Sequence, residues 1–328
     1  MKAQTMKAVI CTGYGAPESL EIQEVVKPTP KEKQVLVKVI ATSVTAADAM
    51  MRQGTPFFAR FFLGFKKPKN PIPGTGFAGV VEATGTEVTQ FKIGDEVFGE
   101  TAVDFSAHAE YICVSEEGVI LMKPPSISFE EAAPLCDGAL TSFNFLKEIG
   151  QIKEGQRVLI NGASGSLGTA AVQLAKYYGA HVTAVCSGKN EELVRSLGAD
   201  DVIDYKKTDF TKTNERYDLI YDSIGKSSFS KCRNILTKEG QYLSPVLSLG
   251  VLFQMLWTSI FGTKKVRFAA TGLLPKAKLR TFLIEVVDII KKEQLRSHID
   301  RRFALNQVVE AHHFVDTGRK RGNIVLLP

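Results

Sequence analysis

The stretch VLINGASGSLGTAAVQLAK, residues 158–176, decides the fold. An apolar run ends in a turn holding Gly162, Gly165 and Gly168, and helical periodicity takes over near residue 166. Ala163-x-Gly165-x-x-Gly168 keeps the dinucleotide spacing, with Ala in place of the first Gly. Small residues there let the backbone approach a pyrophosphate, and a helix N-terminus presents free N–H groups and partial positive charge. A glycine pattern alone is weak. This one follows a strand, opens a helix and precedes a second strand, which is the context that gives it meaning.

Outward from that turn, strands and helices alternate. RVLINGA (157–163), HVTAVCS (181–187), DVIDY (201–205), YDLIYDSI (217–224) and GQYLSPV (240–246) read as strands. Repeated β-α-β units on short connections imply a doubly wound parallel sheet, a Rossmann domain, over residues 126–271. Before it the grammar differs. MKAVICT, QVLVKVIAT, GFAGVVEATG and IGDEVFG are short β-rich runs punctuated by Gly, Pro and Asp, as in a mainly antiparallel domain. The expected class is therefore α/β with a second, mainly β domain, residues 1–125, to which 272–328 return.

Bulk properties permit this and narrow little else. The 328 residues suit two domains, with 44% hydrophobic and 23% charged residues. No apolar run reaches the ~20 residues that span a bilayer, and no signal-peptide pattern is evident at the N-terminus. Five scattered cysteines without a C-x-x-C pair point to a reduced, cytoplasmic protein. A net charge of +6 arises from 41 basic and 35 acidic residues, so nucleic acid is not an expected partner. No His-Asp-Ser arrangement or pair of catalytic carboxylates supports a hydrolase.

Cofactor choice is read at the end of the second Rossmann strand. A carboxylate there favours NAD by accepting from the ribose hydroxyls. Here the positions are Ser187, Gly188, Lys189 and Asn190, with no acid before Glu191. A hydroxyl, an amide and an ammonium suit a 2′-phosphate, and Tyr205 could close over it, so NADPH is expected.

Several segments together carry a resemblance: SVTAADAMMRQG (43–54), PGTGFAGVVEATGTEVTQFKIGDEVFG (73–99), EEAAPLCDGALTSF (130–143), NGASGSLGTAAVQLAK (161–176), SLGADDVIDY (196–205) and GRKRGNIVLLP (318–328). Over nearly its whole length the chain resembles the medium-chain dehydrogenase/reductase superfamily, in its quinone oxidoreductase branch. The resemblance implies a GroES-like catalytic domain, a Rossmann domain and an active site in the cleft between them. It implies cofactor binding through Gly165, Ser166, Leu167, Ser187, Lys189, Asn190, Tyr205 and Arg319, with Thr141 facing the nicotinamide half. A homodimer through the edge of the Rossmann sheet is expected on the same grounds.

Departures from the superfamily pattern set the expected chemistry. Zinc-dependent members carry Cys where this chain has Thr45, and His-Glu inside G-H-E-x-x-G where it has Thr75 and Gly76. The second catalytic Cys position falls on Asp137, one residue beyond Cys136, and the four-cysteine structural lobe is absent. Tetrahedral zinc needs three or four N, S or carboxylate ligands converging on one point, so no metal is expected. Without a Lewis acid, hydride must go to an acceptor that stabilises negative charge by itself, a quinone or activated enone. Thr45 is the candidate catalytic hydroxyl, with a local cap as its equally weighted alternative; Asp48 and Arg52 are read as braces of that loop. Enoyl-thioester reductases of the superfamily place a Tyr after R-x-G; here Thr55, Pro56, Phe57 and Phe58 follow. An enoyl or alkenal reductase and a non-catalytic nucleotide binder are the alternatives.

Two further segments stand out. TPFFARFFLGFKKPKNP (55–71) mixes aromatics with Arg60, Lys66, Lys67 and Lys69; LSLGVLFQMLWTSIFG (247–262) is strongly apolar and holds the only tryptophan, Trp257. Either could wall an acceptor pocket. The first equally suits packing, and the second a buried helix or a dimer contact; a weak membrane-surface contact is a lesser reading of these segments. The remaining polar candidates, His108, His312–His313 and the RKR run 319–321, are read as packing or solvated residues.

Overall fold

A computed structural model describes residues 3–328; of Ala59 and Phe62 only the backbone is described. The described residues divide into two compact units, residues 3–137 with 275–287 and 297–328, and residues 138–274 with 288–296.

The first unit is the mainly β one. Gln34–Val44, Gly76–Thr84 and Glu96–Glu100 are successive antiparallel neighbours in a seven-stranded sheet. Its other edge is made by the returning segment: Asn323–Leu327 pairs antiparallel with Gln34–Val44, and Ile299–Ala304 pairs parallel with Asn323–Leu327. The alternation of Val35, Val37 and Val39 buries one face against Phe77, Val81, Val97 and Ile112. A separate core joins Val9, Leu20, Val44 and Ala49 to Val308, Ala311 and Val315, so the returning helix Val308–Asp316 is bound to the N-terminal strands by apolar burial.

The second unit is a six-stranded, all-parallel sheet. Its strands are Asp201–Asp204, His181–Cys186, Arg157–Asn161, Tyr217–Asp222, Leu236–Ser244 and Lys265–Phe268, in that spatial order. Reversal of direction beside the first strand makes the doubly wound arrangement expected from the sequence. Lys265–Phe268 is a sixth strand that the sequence reading passed over, because its four residues alternate charge and apolarity within a basic run. Helix Leu249–Ile260 precedes it, and only Thr258 on that helix is buried. The apolar segment therefore does not form the buried helix that its composition suggested.

Candidate functional site

In the second unit the glycine turn has the geometry its spacing predicts. Gly162 is at φ +80°, and a Cβ on Gly168 would lie 2.1 Å from the Gly162 carbonyl oxygen. Helix Ser166–Tyr177 therefore packs on the strand through bare backbone. Gly165 is its N-cap, and a Cβ there would meet only Gly162 O, at 3.5 Å. That leaves an open cradle in front of the helix N-terminus. Ser166 is buried in the first turn, and the Ser142 hydroxyl donates to Leu167 O at 2.8 Å, which ties this turn to the helix bearing Thr141.

Below the turn, Asp222 is fully buried and gathers three strands. It accepts from Asn161 Nδ2 at 2.8 Å, the Tyr242 hydroxyl at 2.6 Å and Ser227 N–H at 2.8 Å. Burial and the facing carboxylate push the Tyr242 phenol up.

At the second strand's end Ser187 and Asn190 are buried, whereas Lys189 and Tyr205 are exposed. Asn190 Nδ2 donates to Ser164 Oγ at 2.8 Å, and Asn190 Oδ1 is buried with no hydrogen-bond partner. Ser187, Lys189, Asn190 and Tyr205 are thus gathered round one strand end, since Tyr205 N donates to Cys186 O. The sequence reading missed Asp204. Parallel pairing sets it beside Cys186, and its Oδ2 lies 2.6 Å from where a Cβ on Gly188 would be. The signal was the strand register, which a search of residues 187–190 alone does not contain. Arg319 lies in the first unit, exposed.

In the first unit Thr45 caps helix Ala46–Gln53. Its Oγ1 accepts from Asp48 N and donates to Asp48 Oδ2 at 2.7 Å, while Thr45 N donates to the same oxygen at 2.8 Å. The hydroxyl proton is committed to Asp48 and the residue is 3% exposed, so the observed geometry is the capping one. Arg52, fully buried, donates to Gly15 O at 2.7 Å and to Asp316 Oδ2 at 2.6 Å, which braces the loop. Gly76 can carry no side chain unless its neighbours move: a Cβ would lie 2.5 Å from Ala133 O and 2.7 Å from Ser43 Oγ.

Around Thr45 and Gly76 stand ionisable groups. Glu100 is the cross-strand partner of Gly76, and Asp137 lies in the first turn of Leu135–Phe143. Desolvation, reinforced by Asp137 and Asp48, raises Glu100 to about 8. Desolvation raises Asp137 to about 6 against the opposing charge of Lys320. Desolvation also lowers the Lys320 ammonium, which Asp137, Asp48 and Asp300 partly offset. Among the described residues no group of three or more His, Cys, Asp or Glu is arranged to hold a metal ion. Nor is any helix long and apolar enough to cross a membrane.

Comparison with known proteins gives two family matches: an alcohol dehydrogenase GroES-like domain over residues 31–125 and a zinc-binding dehydrogenase over residues 197–326. A chloroplastic quinone-oxidoreductase homolog of Spinacia oleracea is 31% identical over the full length of both chains. A 2-methylene-furan-3-one reductase of Solanum lycopersicum is 33% identical, covering 98% of this chain and 79% of its own. Among solved structures, the quinone oxidoreductase from Coxiella burnetii superposes with a TM-score of 0.87 at 28% identity, covering 99% of this chain and all of the other. A GroES-like β unit, a glycine turn on a doubly wound sheet and full-length kinship agree: this chain belongs to the medium-chain dehydrogenase/reductase superfamily, among its quinone oxidoreductase-like members.

Proposed function

We propose that the chain is a zinc-independent reductase that transfers hydride from NADPH to a quinone or an activated enone. The observation that carries this is the donor set at Thr45, Thr75 and Gly76. The first hydroxyl is held in a helix cap and the last position has no room for a side chain. Two hydroxyls and a glycine are not a zinc ligand set. The related 2-methylene-furan-3-one reductase and quinone-oxidoreductase homolog carry names of activated, charge-delocalising acceptors, in keeping with the reading.

The second unit fits a dinucleotide. Gly165, Ser166 and Leu167 offer an open cradle and helix N–H groups to a pyrophosphate. The orphaned carbonyl of Asn190, with Ser187, Lys189 and Tyr205, would meet the adenosine ribose and its phosphate. Thr141 and, from the returning segment, Arg319 complete the proposed set. When bound, the nicotinamide supplies two electrons as hydride; the protein contributes orientation and exclusion of water. Because the Thr45 proton is already donated to Asp48, stabilising charge on the acceptor falls to other groups. NADH has one observation in its favour, the Asp204 carboxylate against Gly188.

A cytoplasmic setting is in keeping with five free cysteines. A homodimer is supported by the exposed apolar helix Leu249–Ile260 beside the edge strand Lys265–Phe268. A weak contact with a membrane surface is supported by exposed Phe57, Phe58, Phe61 and Phe65 next to Lys66, Lys67 and Lys69.

The test is a steady-state panel of both reduced nicotinamides against quinones, enones and aldehydes in the presence of a chelator. We expect NADPH to be preferred at least about tenfold, the order of one phosphate-ammonium contact, with chelator-resistant turnover of quinones or enones. Equal use of NADH overturns the roles of Lys189 and Tyr205. Activity confined to aldehydes and lost to chelator overturns the mechanism. An enone product with a saturated C=C bond selects the alkenal reductase alternative, and tight NADPH binding without turnover of any acceptor selects the non-catalytic binder.

A further inference from the structure

Phenylalanine is among the residues most often found inside a fold. On the segment 55–71 of the first unit four of them, Phe57, Phe58, Phe61 and Phe65, are more than half exposed. Phe57, Phe61 and Phe65 follow one another at intervals of four and share one patch: the Phe65 ring centroid lies 6.2 Å from each of the other two.

The rings stand outward because the segment is fastened on its inward side. The chain passes through two short helical turns, Phe57–Ala59 and Arg60–Leu63. Between the phenylalanines Arg60 turns back to the body of the unit. Its guanidinium donates to Gly54 O and Gln53 O, each at 3.0 Å, and lies 4.4 Å from the Tyr14 ring centroid. The Tyr14 hydroxyl in turn donates to Gly64 O at 2.6 Å. Gly64 is at φ +124°, where a Cβ would lie 2.2 Å from Lys67 O, and Lys69 N closes the turn on Leu63 O at 2.6 Å. Gly64 and Pro68 are buried, whereas Phe65, Lys66, Lys67 and Lys69 are exposed.

The charge on this stretch has one sign. No Asp or Glu occurs between Asp48 and Glu82, an interval that carries Arg52, Arg60, Lys66, Lys67 and Lys69. Arg52 is neutralised by Asp316, but Lys66, Lys67 and Lys69 form no ion pair among the described residues. Asp104, whose carbonyl accepts from Asn70, has its carboxylate paired with Lys276, and Glu82 pairs with Lys27. Lysine is depleted at protein interfaces, and a second copy seated on the same face would set lysines against lysines. Aromatic rings beside unpaired lysines suit an anionic bilayer, where rings pass the headgroups and ammonium groups stay among the phosphates.

We propose that residues 55–71 form a lipid-binding tip, which seats Phe57, Phe61 and Phe65 in the interface of an anionic bilayer with Lys66, Lys67 and Lys69 on the lipid phosphates. The inference rests on the membrane contact proposed above and deepens it by naming the segment and the lipid charge; the hydride chemistry does not enter. Each lysine contributes about fivefold to partitioning, and salt screens the attraction.

The test is cosedimentation of the full chain with vesicles, without cofactor or acceptor. The wild type should bind phosphatidylglycerol-rich vesicles at least about tenfold more tightly than phosphatidylcholine vesicles, and Lys66→Gln/Lys67→Gln/Lys69→Gln should abolish that preference. Phe57→Ser/Phe61→Ser/Phe65→Ser should lose at least about tenfold on the anionic vesicles, with an unchanged melting curve because these side chains are exposed. Phe61→Trp, in a Trp257→Phe background, should shift its emission to the blue on binding and be quenched by brominated acyl chains. Undiminished binding by both triple variants leaves the membrane contact standing through another surface and overturns the tip. Absence of binding to either vesicle removes the contact and the tip together. A phenylalanine variant that turns a lipid-free dimer into single chains gives the face to a second copy. Tighter binding of a single-stranded oligonucleotide than of vesicles gives it to nucleic acid, and either result overturns the proposal. Turnover of NADPH with quinones or enones is measured separately, so the reductase reading stands or falls apart from these outcomes.

Discussion

At Gly165 and Gly168 two identical residues three positions apart do different work. A methyl on Gly168 collides with the Gly162 carbonyl at 2.1 Å, whereas one on Gly165 meets nothing closer than 3.5 Å. We predict that Gly168→Ala lowers the melting temperature and abolishes NADPH binding. Gly165→Ala should melt like the wild type yet bind NADPH at least about tenfold more weakly, because its methyl stands where the pyrophosphate would approach. Isotherms and melting curves on both variants check this; similar behaviour of the two would refute the distinction. The spacing of these glycines was legible in the chain. Which of them the fold itself requires was not, since that depends on how closely helix and strand approach. Thr45 shows the same limit: its hydroxyl was visible as a donor, but its commitment to Asp48 is a matter of local geometry.

Among the elements, the parallel strands are tied by Asp222. Four donors converge on its buried carboxylate, the Asn161 amide, the Tyr242 hydroxyl and the backbone N–H groups of Lys226 and Ser227. Asp222→Ala should destabilise the protein by about 3 kcal/mol, because those buried donors lose their acceptor at once; chemical denaturation measures it, and a loss within error refutes the account. Helix Leu249–Ile260 poses the opposite question. Leu249, Phe253, Leu256, Trp257 and Ile260 are more than half exposed, and Phe253, Trp257 and Phe261 form a run of ring contacts. So large an apolar patch is uncommon on a monomer's surface. Sedimentation should find twice the chain mass for the wild type and one chain mass for the Phe253→Glu/Leu256→Glu variant. A wild type that remains one chain at micromolar concentration removes the expected homodimer. Composition had left a pocket wall, a buried helix and a dimer contact open for this segment; apolarity marks surface that avoids water, without saying which surface covers it.

On the scale of the molecule, the first unit carries a built-in sensitivity to acid. His312 is fully buried with no partner on either ring nitrogen, 6.2 Å from the His108 ring. Desolvation, with His108, Arg52 and His313 adding to it, pushes its pKa from 6.5 down to about 2. The unfolded chain takes up a proton near 6.5 that the fold refuses, so this contribution to stability is complete above that pH and shrinks below it. The slope approaches ~1.4 kcal/mol per pH unit. Denaturation midpoints should fall between about pH 7 and pH 5 in the wild type and fall less in His312→Leu; equal slopes would refute the assignment. By itself the sequence determined the two kinds of domain, the glycine turn between strand and helix, and which residue types stand at positions 45, 75 and 76, because periodicity, glycine spacing and residue identity are local properties of a chain. Only the tertiary structure decided that Asp222 gathers donors from neighbouring strands, and that His312 is sealed from water beside His108. Protonation depends on which charges and how much solvent lie within a few ångströms, and residues separated by hundreds of positions acquire those neighbours only when the chain folds.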